Sequence, residues 1–172
     1  MRLFNALVLF VFSLCVWADE SETPFDVPAG MVQAILKEDV EHTQDAECTV
    51  DFSSFSYEGE WGPGFTLRAH GEGKKFVQIS MARAETDKGY VFFIEAGNDE
   101  EMYYNFPFSG FINRSKRVTF RLSWRDDGAF VYMVQAGKSF GRGNIIIPQF
   151  TATKFSVHAS GVKGKSICKL AV

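Results

Sequence analysis

The sequence predicts an all-β protein, an antiparallel β-sandwich preceded by a short N-terminal helix. Three observations predict it. Apolar and polar residues alternate with period two through Val118, Phe120, Leu122 and Trp124, with Thr119, Arg121 and Ser123 between them. Roughly nine short stretches of this kind, separated by glycine-bearing turns, fill the chain from Cys48 onward. Phenylalanine occurs 18 times in 172 residues, and at strand spacing such rings belong to a packed core rather than to a ligand platform.

Residues 1–18 place Arg2 before a short apolar run (Leu7, Val8, Leu9, Phe10, Val11, Phe12) and end Val16-Trp17-Ala18 before an acid. This is the pattern of a secretory signal peptide, and the run is short against the ~20 residues of a bilayer span. The expectation is export, with no membrane insertion. Residues 19–47 form the next unit, with nine acids against one base (Lys37), a net of −8. Within it Met31, Val32, Ile35, Leu36 and Val40 recur at helical spacing, and Pro28 suits a helix start. The expectation is an acidic leader carrying a short amphipathic helix. It is either a solvated arm with its helix packed, or a pro-segment docking its acidic face on the basic domain.

Residues 48–172 form the sandwich, with 12 acids, 16 bases and a net of +4. Strand patterns fall at 49–57, at 65–70, after the turn Gly71-Glu72-Gly73 at 76–81, and after Thr86-Asp87-Lys88-Gly89 at 90–94. The 90–94 stretch is nearly all apolar and reads as buried on both faces. The aromatic-proline step Phe106-Pro107-Phe108 leads to the central hairpin, whose turn is Arg125-Asp126-Asp127-Gly128 and whose return strand carries Phe130, Tyr132 and Val134. Stretches at 138–140, 145–147, 155–158 and 166–171 close the chain, with Gly141, Gly143, Gly161 and Gly164 read as the breaks between them.

Of the three cysteines, Cys15 leaves with the signal. Cys48 and Cys168 then make one bridge in an oxidising compartment, the alternative being two buried thiols. Asn113-Arg114-Ser115 is an N-glycosylation acceptor on an expected loop.

The chemistry-bearing residues argue against catalysis. His42, His70 and His158 stand apart, with no nucleophile elbow, HExxH or two-histidine metal spacing. Glu58 and Glu60 share a strand face beside Trp61 without the spacing of a glycan hydrolase. Asp99-Glu100-Glu101 reads as a solvated loop rather than a calcium site. Gly141-Arg142-Gly143 lacks the helix and the Lys-Ser/Thr pair of a phosphate loop, and a mild positive charge on an exported chain gives no case for nucleic acid. No cofactor is expected.

Several stretches resemble the galectins. Gly64-Phe65-Thr66-Leu67-Arg68 followed by Lys75-Phe76-Val77-Gln78-Ile79 is similar to that family's opening pair, and Phe106-Pro107-Phe108 to its phenylalanine-proline-phenylalanine step. The resemblance runs from about Phe65 to Leu170 and implies a galectin-like jelly-roll sandwich. Galectins carry a His, an Asn and an Arg on the sugar-contacting strand, then a Trp and a Glu. Here the matching strand reads Phe92-Phe93-Ile94-Glu95-Ala96, so the usual β-galactoside contacts do not carry over. Phe52, Tyr57, Gly59 and Trp61 keep a spacing that resembles the lipocalins, carriers of apolar ligands. Trp124 to Gly128 resembles the farnesoic-acid methyltransferase-like sandwich domains.

The expectation is a secreted, non-enzymatic binding module for an extracellular glycan or glycoprotein. Its candidate surface is a polar face made by Arg68, His70, Gln78, Ser80, Arg121 and Ser123. The alternatives are a lipocalin-like carrier, which requires a closed barrel with an apolar cavity, and a structural or effector protein without a small ligand.

Overall fold

A computed structural model describes residues 22–40, 44–58, 61–83, 89–111 and 115–171. Apart from a 3-10 turn at Glu72–Lys74, the regular structure is all strand. In chain order these are β1 (Thr23–Asp39), β2 (Gln44–Phe55), β3 (Gly64–Gly71), β4 (Phe76–Arg83), β5 (Tyr90–Gly97), β6 (Met102–Phe111), β7 (Arg117–Trp124), β8 (Ala129–Ala136), β9 (Ser139–Ile146) and β10 (Ala152–Ala171). No helix among the described residues is long and apolar enough to cross a membrane.

Every pairing is antiparallel, in the order β6-β5-β4-β3-β10-β2-β7-β8-β9, with β1 also on β10. The 20-residue β10 holds the order together by changing partners midway. Its first half pairs with β3 (Phe155 opposite Ala69, Val157 opposite Leu67). Its second half pairs with β2 (Cys168 opposite Cys48, Ser166 opposite Val50). At the changeover stands Gly161, with φ +55°, and a Cβ there would lie 2.7 Å from the Ser56 carbonyl oxygen. Before Gly161 the odd residues Phe155, Val157 and Ala159 point to the core, and after it Val162, Gly164 and Ser166 do. The sheet therefore folds over into two layers, β6-β5-β4-β3 with the first half of β10, and β9-β8-β7-β2 with the second.

Rings fill the space between the layers. Phe65 of β3 and Phe92 of β5 lie 5.2 and 5.9 Å from Phe120 of β7, centroid to centroid. Phe52 of β2 meets Phe65 edge-on at 5.9 Å, and Trp124 of β7 stacks on Phe155 at 6.1 Å. Among the described residues these rings pack against one another in the space where a carrier would need an apolar cavity.

The central hairpin follows its alternation. Val118, Phe120, Leu122 and Trp124 are buried, Trp124 faces Phe130 in register, and Gly128 takes φ +80°. Elsewhere the structure corrects the reading. The expected helix around residues 31–40 is the second half of β1, paired to β10 from Val32 opposite Ser160 to Asp39 opposite Lys154. Gly30 at φ +73° bends the strand there, and β-branched Val27, Val32 and Ile35 suit extended backbone. A short helix would have left a marginal amphipathic face to bury, whereas β10 offers a full ladder. The acids of this segment sit across from bases, in the pairs Glu22–Lys165 (2.9 Å), Asp26–Lys163 (2.7 Å) and Asp39–Lys154 (3.6 Å). Such exposed pairs add little stability and serve register instead.

Gly141, Gly143 and Gly164 are not breaks but lie inside β9 and β10. A side chain at Gly143 would collide with Tyr132, and one at Gly164 with the Asp51 carbonyl. On β5 only one face is fully buried, since Val91, Phe93 and Glu95 point outward and are partly exposed. Phe106 and Pro107 of the aromatic-proline step lie within β6. Glu58 follows the end of β2, while Glu60, His42, Asn113 and the first three residues of the expected turn Thr86-Asp87-Lys88-Gly89 lie outside the described residues.

Cys48 and Cys168 are bridged, with Cα atoms 4.1 Å apart across β2 and β10 and a sequence separation of 120. A loop of that length constrains the unfolded chain by about 4–5 kcal/mol. Replacing both cysteines by alanine is therefore expected to lower unfolding stability by about 4 kcal/mol in a urea titration. A loss below about 1 kcal/mol would contradict this weight.

Candidate functional site

On the layer formed by β3 to β6, the residues that alternate away from the core make a continuous polar row. Register sets it: Arg68 lies opposite Gln78 on β4 and Ser156 on β10, and Gln78 lies opposite Glu95 on β5, which lies opposite Asn105 on β6. The Arg68 Nε donates to Gln78 Oε1 at 2.6 Å, and Gln78 Nε2 donates to Glu95 Oε2 at 2.6 Å and to Ser80 Oγ at 3.0 Å. The Ser80 hydroxyl donates to the same Glu95 oxygen at 2.5 Å. The Arg68 guanidinium also lies over the Phe76 ring, 4.5 Å from its centroid. At the other side of Arg68, the buried Ser156 hydroxyl joins His70 Nε2 (2.6 Å) to His158 Nε2 (2.9 Å).

Three grooves open onto this row. One of about 420 Å³ is lined by Trp61, Thr66, Arg68, Gln78, His158 and Ser160 among others. A second, of about 410 Å³, runs past Trp61, Ser80, Phe93, Glu95 and Asn105. The two share Trp61, Gly62 and Gly64, so Trp61, 54% exposed, stands between them. The third, of about 490 Å³, extends from Arg68 and His70 to Lys74, Asp99 and Lys154. Gly64 helps keep the floor low, since a Cβ there would press to 3.1 Å from the Met81 carbonyl oxygen. The arrangement offers a carboxylate and amides to accept or donate to hydroxyls, a guanidinium, and an exposed ring for stacking.

Of the six residues expected on one face, the structure brings together Arg68, His70, Gln78 and Ser80 and separates Arg121 and Ser123. Those two are on β7 in the other layer, both bonded to Asp45 of β2. Arg121 Nε donates to Asp45 Oδ1 at 2.8 Å, its Nη2 to Asp45 Oδ2, and Ser123 Oγ donates at 3.0 Å. The bond and charge of Asp45 hold the Arg121 pKa above its ordinary value. Period two places a residue on the outward side of its strand, but all strands of both layers have an outward side. Glu95, Trp61, Asn105 and His158 join the row although the sequence reading did not place them on the candidate surface. Glu95 left a signal, being the one acid in an otherwise apolar strand.

Electrostatics set the protonation of this face. Burial lowers the His70 pKa to about 4, helped by the positive charge of Arg68, His158, Lys154 and Lys37. Burial, then Arg68 and Lys37, lowers His158 as well. With both pKa values lowered, both rings are neutral at neutral pH. The unfolded chain takes up a proton at each histidine near pH 6.5, whereas folded His70 does so only near 4. The folded state therefore holds its full advantage from His70 above pH 6.5 and loses it as pH falls from about 6.5 toward 4. The urea midpoint should drop between pH 7 and pH 4.5 by more in the wild type than in His70→Gln, and equal drops would contradict the assignment.

No family model matches the sequence, and no curated protein does. Among solved structures, the Caenorhabditis elegans galectin LEC-6 superposes with a TM-score of 0.56 at 10% identity, over 91% of this chain and 99% of its own. CG-16, a homodimeric agglutinin from chicken liver, gives 0.51 at 12% identity, over 82% of this chain and 98% of its own. Scytalido-glutamic peptidase gives 0.54 at 10% identity, over 81% and 73%. At such identities the likeness is one of fold, and the fold of this chain is a galectin-like β-sandwich.

Proposed function

We propose that this chain is a secreted, non-enzymatic glycan-binding module whose site is the outward face of β3, β4, β5 and the first half of β10. The observation that carries the reading is the bonded row Arg68-Gln78-Glu95-Ser80 lying beside the exposed Trp61, with a groove on either side of the ring. A sugar presents hydroxyls around its edge and C–H groups on its faces. Glu95, Asn105 and Ser80 suit the hydroxyls, and Trp61 suits the faces. The hydrogen bonds within the row fix these groups before a ligand arrives, which reduces the entropy lost on binding.

Export is supported by the apolar start of the chain and by the Cys48–Cys168 bridge. The partner is then an extracellular glycan or glycoprotein. With Phe92-Phe93-Ile94-Glu95-Ala96 on β5, its ligand is held by contacts other than those galectins make to β-galactosides.

A second reading rests on Glu95. Two donors, Gln78 and Ser80, meet one of its oxygens in an open groove, and one fold neighbour is a glutamic peptidase. Glu95 would take a proton from water through its other carboxylate oxygen. The binding reading is preferred because the groove also offers a stacking ring and the guanidinium of Arg68.

The test is a glycan array probed with the oxidised, secreted chain and with Trp61→Ala. Binding by the wild type that falls about tenfold or more in the variant is expected, as loss of a stacked ring requires. A blank array, with the bridge confirmed by intact mass, would contradict the reading. Turnover of a quenched peptide library that disappears in Glu95→Gln would favour the second.

A further inference from the structure

We propose that the glycan taken by this face carries an acidic group, a sulfate ester or a uronate carboxylate, and that Arg68 seats it. The proposal rests on the glycan-binding reading and adds the ligand's chemical class and its direction in the groove.

Among the described residues, Arg68 alone lines both the groove beside Trp61 and the groove reaching Lys74 and Lys154. Its Nε is committed to Gln78, and its Nη atoms have no hydrogen-bond partner among the described residues. The contrast with other arginines is direct. Arg117 pairs with Asp51, Arg121 with Asp45 and Arg125 with Asp127. Around Arg68 the carboxylates are engaged elsewhere: Glu95 with Gln78 and Ser80, Asp99 with Lys74 at 3.0 Å, and Asp39 with Lys154 at 3.6 Å. Burial lowers the Arg68 pKa, and the pull of Glu95 and Asp99 does not offset it. A half-buried guanidinium to which no carboxylate is bonded is a receptor for a planar or tetrahedral oxyanion, which it grips through two parallel N–H groups.

Two neighbouring features agree. His70, His158, Lys154 and Lys37 surround this end of the row, and a neutral imidazole whose Nε2 accepts the Ser156 proton carries an Nδ1–H that can donate to a further anion oxygen. Glu95 occupies the far end, two strands away, where it repels an anion and accepts from hydroxyls. The ligand is thereby given a direction, with its acidic group at Arg68, its hydroxyl-rich portion at Glu95 and Asn105, and Trp61 between.

The experiment measures binding of the full oxidised chain by calorimetry to three probes on one backbone: a chondroitin sulfate hexasaccharide, its desulfated form, and its desulfated, carboxyl-reduced form. The chain is tested as wild type, Arg68→Gln, Arg68→Lys and Arg117→Gln, each with a melting curve to establish folding. The wild type is expected to bind an acidic probe at least about tenfold more tightly than the neutral one, with affinity falling as salt rises. Binding of the sulfated probe alone assigns the sulfate ester, and binding of the desulfated probe as well assigns the carboxylate. Arg68→Gln should lose that preference, Arg68→Lys should retain part of it, and Arg117→Gln should leave it intact. Equal affinity for neutral and acidic probes would overturn the proposal and leave the glycan-binding reading standing. So would an acidic preference unchanged in a folded Arg68→Gln. Absence of binding to these probes and to every member of the glycan array would overturn both.

Discussion

The arrangement depends on one backbone constraint, the passage of β10 from one layer to the other at Gly161. A strand can satisfy both its edges only by pairing along its length, and β10 does so with β1, β3 and β2 in turn. To change layers without breaking, it must bend and invert its inward side at a single residue. Only a glycine tolerates φ +55° with a carbonyl as close as that of Ser56. Because the inversion occurs there, Ser156 and His158 point outward beside Arg68 and His70, while Phe155 and Val157 point inward to Trp124 and the core. The polar row and the ring-filled interior are two sides of the same strands, held in register by the same ladder. The bridge at Cys48 and Cys168 ties the second half of β10 to β2 and so fixes the layer opposite the row.

The two outward faces differ in how their charges are matched. On the layer of β2 and β7, acids and bases face one another across neighbouring strands, as in Asp45–Arg121 and Asp51–Arg117, and β1 continues the pattern with Asp26–Lys163. The uneven charge of the sequence, acidic to residue 47 and basic beyond, is thus resolved inside one domain by strand pairing. On the layer of β3 to β5 the row is hydrogen-bonded but not neutralised at Arg68, and its histidines are kept uncharged by burial and by the cations near them. A half-buried guanidinium left in that condition, while Arg117 and Arg121 of β7 are paired with acids, marks this face as the one suited to a ligand.

The legible part of the sequence is the part that alternation can encode. The hairpin of β7 and β8 was readable because period two, a turn glycine and a bulky apolar face coincide, and Gly128 indeed lies where a side chain would collide with Ile147. The end strands were not. Gly143 and Gly164 look like punctuation in a sequence but are close approaches within strands, a difference set by what lies across the ladder. Nor was β1, whose apolar residues fit a helix as well as a bent strand until β10 is there to pair with it. For the site, alternation marked Arg68, His70, Gln78 and Ser80 as outward. It could not tell that Arg121 and Ser123 face out from a different layer, because that depends on strand order. Glu95 stands in no motif and only register brings it beside Gln78, while the spacing that includes Trp61 pointed to an apolar carrier rather than to this face.

The most direct test of the account is amide chemical-shift mapping of the isotope-labelled, oxidised chain during titration with a glycan it binds. The account predicts that saturable shifts concentrate on β3, β4, β5 and the first half of β10, with the Trp61 indole among the largest. Shifts concentrated instead on β2, β7 and β8, around Asp45 and Arg121, would place the binding surface on the opposite layer and contradict it.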